Sequence, residues 1–302
     1  MNWQKTLIAS AVLSMALTGI SGCQGSAVPS ESESASVNAD GLVLPRSNDH
    51  LKSPTVLVFS GTLDWRHTEG IPGANLFLVK MTEALGFGIY TTENPAIFTK
   101  DRLAKFDVVV FNNFTGDALT PAQETAFEDW FKAGGGWIGI HGAGDSSHKD
   151  WSWYSETLLG STFTAHPADP QFQTARVQSL NEGHPVLEGL PESWEHNEEW
   201  YSFDAPAQDF GQVVILGVDE STYSPKNLVY GDHKDLRMDL TGAGPIAHPV
   251  VWARCVEQGR GVYSALGHRA SAYDSEYNQM MLKNALTWVL KKTDPESKGC
   301  NP

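Results

Sequence analysis

The feature that most limits the fold is an alternation between residues 55 and 142. Three short runs, "TVLVFSG" (55–61), "DVVVFNNF" (107–114) and "WIGIHG" (137–142), are apolar at consecutive positions rather than at every second one. Such runs belong to strands covered on both faces. Between them lie segments of helical spacing. "GANLFLVKMTEALGFG" (73–88) carries glycines at its end, where helices stop. "TKDRLAKF" (99–106) is a short helix capped by Thr99. "TPAQETAFEDWFKAGGG" (120–136) has Thr120 as cap, Pro121 at its first position and glycines beyond it. "GIYTTE" (88–93) adds a strand. The order β-α-β-α-β-α-β predicts an α/β fold with a doubly wound parallel sheet.

The second half is less regular but still contains strands. "TARVQSL" (174–180) and "QVVILGVD" (212–219) read as strands, and "HPVVWARCVEQGRGVYSALGH" (248–268) as two strands around a Gln-Gly turn. "SEYNQMMLKNALTWVLKK" (275–292) is a terminal amphipathic helix.

In open parallel sheets, sites form outside the carboxyl ends of the strands. Asp64, Arg66 and His67 follow the first run, Asn112 and Asn113 end the second, and His141 sits at the tip of "AGGGWIGIHGAGDS" (133–146). That stretch has the outline of a strand, a tight elbow and a helix start. In many α/β enzymes such an elbow presents a serine or cysteine nucleophile. Histidine is rarely a covalent nucleophile, so His141 is read as a base or a ligand. Asp145 lies four residues on and would share its side if the elbow ran into a helix. The competing reading is a polar elbow closed by local hydrogen bonds.

Residues 1–23 have a lysine near the start, an apolar stretch and small residues ending at Cys23, the pattern of an export signal. "ISGC" resembles a bacterial lipobox, which makes Cys23 the lipidation site. With Gln24 after it, the resemblance implies an outer-membrane lipoprotein of the cell envelope, held by acyl chains alone. The competing reading is a plainly secreted protein with an incidental cysteine. Residues 24–53 are rich in Ser, Glu, Ala and Pro and are expected to be a flexible tether. The globular domain is expected over 54–292, with a tail over 293–302. Export leaves Cys255 and Cys300 in an oxidising compartment, free to pair, though nothing in the sequence shows that they meet. A net charge of −15 without a basic cluster argues against a nucleic-acid partner.

"WRHTEGIP", "DVVVFNNFTGDALTPAQETAFEDWFKAGGGWIGIHGAGDS", "WYSETLLGSTFTAHP", "NEEWYSF", "HPVVWAR" and "VYSALGH" together resemble the ThuA-like, trehalose-utilisation family. The resemblance spans roughly residues 55–290. It implies the flavodoxin-like fold of the class I glutamine amidotransferase-like superfamily. It also implies an association with the catabolism of trehalose and keto-sugar derivatives, and a sugar oxidoreductase partner in the same pathway. The commonest family elbow reads "HAASD"; this chain has "HGAGD", keeping the histidine and the aspartate. Without cysteine or serine at the elbow, an amidotransferase is excluded.

The expected enzyme is therefore a hydrolase, lyase or isomerase acting on a small carbohydrate. His141 would be the base, Asp145 its orienting carboxylate, and His166 or Glu199 the acid. A direct attack on a glycosidic bond would instead need two opposed carboxylates, and Asp145 and Glu199 are the available pair. Arg66, His67, Asn113, Tyr201, His248 and His268 are candidate substrate contacts. For each histidine the alternative is a satisfied structural role. Ten tryptophans fit sugar stacking as well as core packing, so Trp153 and Tyr154 are a candidate aromatic platform. His67, His141, His166 and His268 could hold zinc or manganese if distant loops converge, although no HExxH or CxxC commits the chain to a metal. A non-catalytic, lipid-anchored sugar-binding or accessory subunit is the rival function, because one fold serves many.

Overall fold

The computed structural model describes residues 52–238 and 248–301. The export signal, the Cys23 lipobox and nearly all of the tether lie outside the described residues. Among the described residues, no helix is long and apolar enough to cross a membrane.

The three consecutive-apolar runs are strands with every residue buried: β1 (Thr55–Phe59), β3 (Val108–Asn112) and β4 (Gly136–Ile140). Strand β2 (Gly88–Thr92) forms one edge and is only partly covered. Helix α1 (Gly70–Leu85) starts one turn earlier than expected and stops at Gly86, whose φ of 71° is the left-handed conformation glycine adopts freely. Helix α2 (Lys100–Leu103) is a single turn beginning after Thr99. Helix α3 (Pro121–Lys132) begins where predicted, and the Gln123 side chain accepts the Thr120 N–H at 2.8 Å.

Beyond β4 the chain adds β5 (Phe163–Ala165), β6 (Phe172–Ser179), β7 (Ser193–Glu199), β8 (Ser202–Phe203) and β9 (Val213–Val218). After these come β10 (Lys226–Val229), β11 (Asp232–Asp235), β12 (His248–Val256) and β13 (Gly259–Ser264), and helix α4 (Glu276–Val289) closes the fold. The main sheet runs β2-β1-β3-β4-β13-β12-β9-β6-β7. Strands β2, β1, β3, β4 and β13 are mutually parallel; from β13 to β7 each neighbour is antiparallel. The fold is thus α/β with a parallel half, as expected, and an antiparallel extension supplied by the less regular second half. Strand β7 is not among the sequence expectations. Its sequence, "SWEHNEE", is largely polar, yet its residues alternate between exposed and buried as an edge strand requires.

Cys255 on β12 and Cys300 in the tail are joined by a disulfide. The same tail is held by Arg260, which donates to the carbonyl of Asp294 at 2.8 Å and to the Ser297 hydroxyl at 2.7 Å. The bridge spans 45 residues of sequence. In the chain-entropy picture a loop of that length contributes about 4 kcal/mol. Cys300→Ser is expected to lower the thermal midpoint by about 10 °C. Calorimetry checks this, and a shift under about 2 °C would mean that Arg260 alone secures the tail.

Candidate active site

The elbow after β4 is sharp because His141 takes a φ of 45°, in the left-handed region. The chain then makes one 3-10 turn, His141–Gly144, rather than starting an α-helix. Asp145 returns to extended backbone, and its carboxylate accepts from the Ser147 N–H at 2.9 Å and from the Ser147 hydroxyl. The four-residue spacing therefore does not place Asp145 against His141. The expected orientation of His141 by Asp145 is corrected: the missing helical turn separates them.

His141 is fully buried. Its Nδ1 lies 2.7 Å from the Ala265 carbonyl, to which it donates, and this turns Nε2 toward the neighbouring loops. That Nε2 lies 3.1 Å from His268 Nδ1 and 3.3 Å from Glu199 Oε2, while His268 Nδ1 is 2.9 Å from the same oxygen. His67, from the loop after β1, stands edge-on to both rings with centroids 4.8 Å away. Its Nδ1 is buried and has no hydrogen-bond partner. Three loops and the end of β7, which carries Glu199, thus converge.

Glu199 is the hub. Its second oxygen receives the Gln171 amide and lies 3.3 Å from His166 Nε2. Burial pushes its carboxyl up, but the His141 and His268 contacts outweigh this and hold it well below the ordinary range. Burial, with His141 and His268 beside it, pushes His67 down to about 2, so that ring is neutral. For His141, burial acts downward but Glu199 and Glu198 prevail, and its affinity for a proton rises. Glu198, absent from the candidates that the sequence supplies, lies beneath. It accepts the Gly267 N–H at 2.7 Å and the His268 N–H at 3.3 Å, and so anchors the loop after β13.

Three members of the cluster, His67, Glu199 and His268, line an open pocket of about 470 Å³. His67, Asp145, His166, Glu199, Tyr201 and His268 line it. So do Trp65 and Tyr230, which are 67% and 71% exposed at its mouth. Burial pushes the Asp145 carboxyl up to about 6, against the Ser147 hydrogen bonds.

The family profile for trehalose utilisation, ThuA, matches residues 55–289. The chain belongs to the ThuA family. A ThuA-like protein from Bacteroides uniformis is similar at 24% identity and a TM-score of 0.67, over 81% of this chain and 94% of that one. Another from Parabacteroides merdae is 15% identical with a TM-score of 0.58, over 80% and 90%. At these identities the likeness is one of fold, the glutamine amidotransferase-like α/β fold. No curated protein matches the chain.

The ThuA fold separates the remaining candidates. His141 does not line the pocket; it supports Glu199 and His268 from below. Arg66 is exposed and paired with Glu93 at 2.6 Å, away from the pocket wall. Asn113 is buried and accepts the Gly142 N–H at 3.3 Å, so it shapes the elbow. Trp153 packs on Phe127 and Phe131, and Tyr154 is a core residue donating to the Ala143 carbonyl at 2.5 Å. Neither forms a platform, because the Trp153–Leu159 helix turns both rings toward α3 and the core. His248 is buried, held by Glu220 at 3.1 Å and by the Tyr201 carbonyl. It braces Tyr201, whose ring covers His141 at 4.2 Å, rather than facing the pocket. His166 stands at the pocket wall, apart from the tight group of His67, His141, Glu199 and His268. Gln171, Trp65 and Tyr230 are further pocket residues that the sequence does not single out. Trp65 has a signal, its place two residues before His67; Gln171 and Tyr230 have none.

Proposed function

We propose that the pocket is the active centre of an enzyme that breaks a glycosidic bond in a keto-sugar derivative of a small disaccharide. One observation carries this reading. An imidazole (His166) and a carboxyl raised toward neutrality (Asp145) share a pocket whose mouth carries two exposed aromatic rings. Flat aromatic faces suit pyranose rings, and the family's trehalose association supplies the substrate class.

The chemistry is an elimination followed by hydration. His166 removes the proton on the carbon between the carbonyl and the anomeric centre, and the electron pair moves onto the carbonyl oxygen as an enolate. The enolate collapses, the glycosidic C–O bond breaks, and Asp145 gives its proton to the leaving oxygen. Water then adds across the new double bond, which makes the net reaction a hydrolysis and restores both groups. The glycoside must arrive already oxidised, so a sugar oxidoreductase has to act first. The lipid anchor at Cys23 and an outer-membrane position belong to this proposal as the place where such a sugar is met.

The test is turnover of 3-keto-trehalose and related keto-glycosides by the full-length chain, followed by mass spectrometry of the products. Because Asp145 acts in its protonated form, kcat/KM is expected to fall about tenfold per pH unit above roughly pH 6. Asp145→Asn should lower the rate and abolish that limb. Tight sugar binding without turnover, unchanged by Asp145→Asn, would mean a sugar-binding subunit instead.

A further inference from the structure

The elimination reading leaves four converging groups, three of them buried, without a proton-transfer task. We propose that His67, His141, Glu199 and His268 form a divalent metal site, with zinc as the ion. The inference builds on the same pocket but is tested apart from its turnover.

The first argument is distance. His141 Nε2, His268 Nδ1 and Glu199 Oε2 make a triangle with edges of 2.9, 3.1 and 3.3 Å. A tetrahedral zinc with bonds of about 2.0–2.1 Å has donor–donor edges of about 3.3 Å. One donor atom from each of the four residues lies within 4.8 Å of all the others. The second argument is the orphaned donor. His67 is 3% exposed, its Nδ1 has no partner, and both its ring contacts are with the other two histidines. A buried nitrogen with no partner is costly, and an ion among the four residues would give the ring one. The third is how the donors are held. The Ala265 carbonyl engages His141 Nδ1 and commits Nε2 to the centre, as an outer partner does for a ligating imidazole. Room for His67 depends on Gly142, where a Cβ would stand 2.8 Å from its Cε1 and 2.9 Å from its Nδ1.

Three imidazoles and one carboxylate are donors that suit zinc, with manganese and iron(II) the nearest competitors. The ligand set differs from the four histidines expected from sequence: Glu199 replaces His166. Four protein donors close a tetrahedral zinc, so an oxygen-rich ligand from the pocket would have to enter as a fifth ligand for the ion to act on it as a Lewis acid.

The experiment is elemental mass spectrometry on the full-length chain purified without a polyhistidine tag. The chain is measured as isolated and again after chelation and reloading with zinc, manganese or iron(II). About one ion per chain is expected. Added zinc should raise the thermal midpoint of the stripped chain by about 5–10 °C at a hundredfold excess over Kd. His67→Asn and His268→Gln should each lose the ion and the shift while keeping the far-ultraviolet spectrum. His166→Ala should keep the ion. Less than a tenth of an ion per chain after reloading, with no thermal shift, would overturn the proposal. Full metal content in His67→Asn and His268→Gln would do the same. Metal binding without keto-sugar turnover would leave this site standing and remove the elimination reading; turnover without metal would do the reverse.

Discussion

Glu199→Gln is expected to lower kcat on keto-glycosides by about 100- to 10,000-fold while KM changes little. The argument rests on what faces the carboxylate. His141, His268, His166 and Gln171 all converge on its two oxygens. Among the described residues, it is the acidic side chain that meets both His166 and His268. Glutamine keeps the shape but supplies one acceptor instead of two. Its amide must then confront a donor, either an imidazole N–H or Gln171. Loss of the charge leaves His166 without the group that positions it, although Glu199 itself transfers no proton to the sugar. Removing one member of a buried ionic cluster also costs stability, of order 3–5 kcal/mol. Rates are therefore compared well below the thermal midpoint. Glu199→Asp, which keeps the charge on a shorter arm, should recover part of kcat and shift the pH profile back toward that of the parent chain. A purely structural Glu199 would give the opposite pattern: a lower midpoint in both variants, with kcat per folded molecule unchanged.

The parallel half of the fold is legible in the sequence because its strands announce themselves. Val108–Phe111 and Val56–Phe59 are buried on both faces, and only consecutive apolar residues satisfy that environment. The antiparallel extension is legible in part. Strand β7 escapes because an edge strand hides only alternate residues, and "SWEHNEE" hides a histidine and two glutamates among them. That strand delivers Glu199, so the site's hub can be named as a residue but not placed. Position after a strand groups His67 and His141, since the sheet brings every such loop to one edge, but it groups Arg66 and Asn113 with them, and those turn to Glu93 and to the elbow backbone. Spacing fails for Asp145 because it presumes a helix where a 3-10 turn ends after four residues. A place beside a strand end fails for His248, the first residue of β12, because such a residue can point to either side, and this one turns to Glu220 and the Tyr201 carbonyl. Nothing in the sequence says which histidine nitrogen a carbonyl will claim, and that detail decides which way His141 faces.

The aromatic residues show the same limit, and Phe111→Ala tests it. The ring lies in the middle strand of the parallel half, fully buried. It stacks on Phe127 at 4.9 Å, meets Phe114 edge-on at 4.9 Å and reaches Tyr154 at 5.8 Å. Deleting a ring from such a core forfeits its transfer free energy and leaves a cavity that neighbouring strands cannot close, at about 3–5 kcal/mol. For a domain of this size the thermal midpoint should fall by about 10 °C. Loss of less than about 1 kcal/mol by denaturant titration would mean that Trp151 or Tyr154 relaxes into the gap. The effect should also reach the site. Tyr154 donates to the Ala143 carbonyl within the elbow, and Asn112 and Asn113 follow Phe111 directly, with Asn113 holding the Gly142 N–H. A loosened core therefore frees the elbow from two sides, so kcat should fall before the fold does on warming. The rings that resemble a sugar platform in the sequence are in this way part of the support for the pocket, while in the proposed reaction it is the exposed Trp65 and Tyr230 that would meet the sugar.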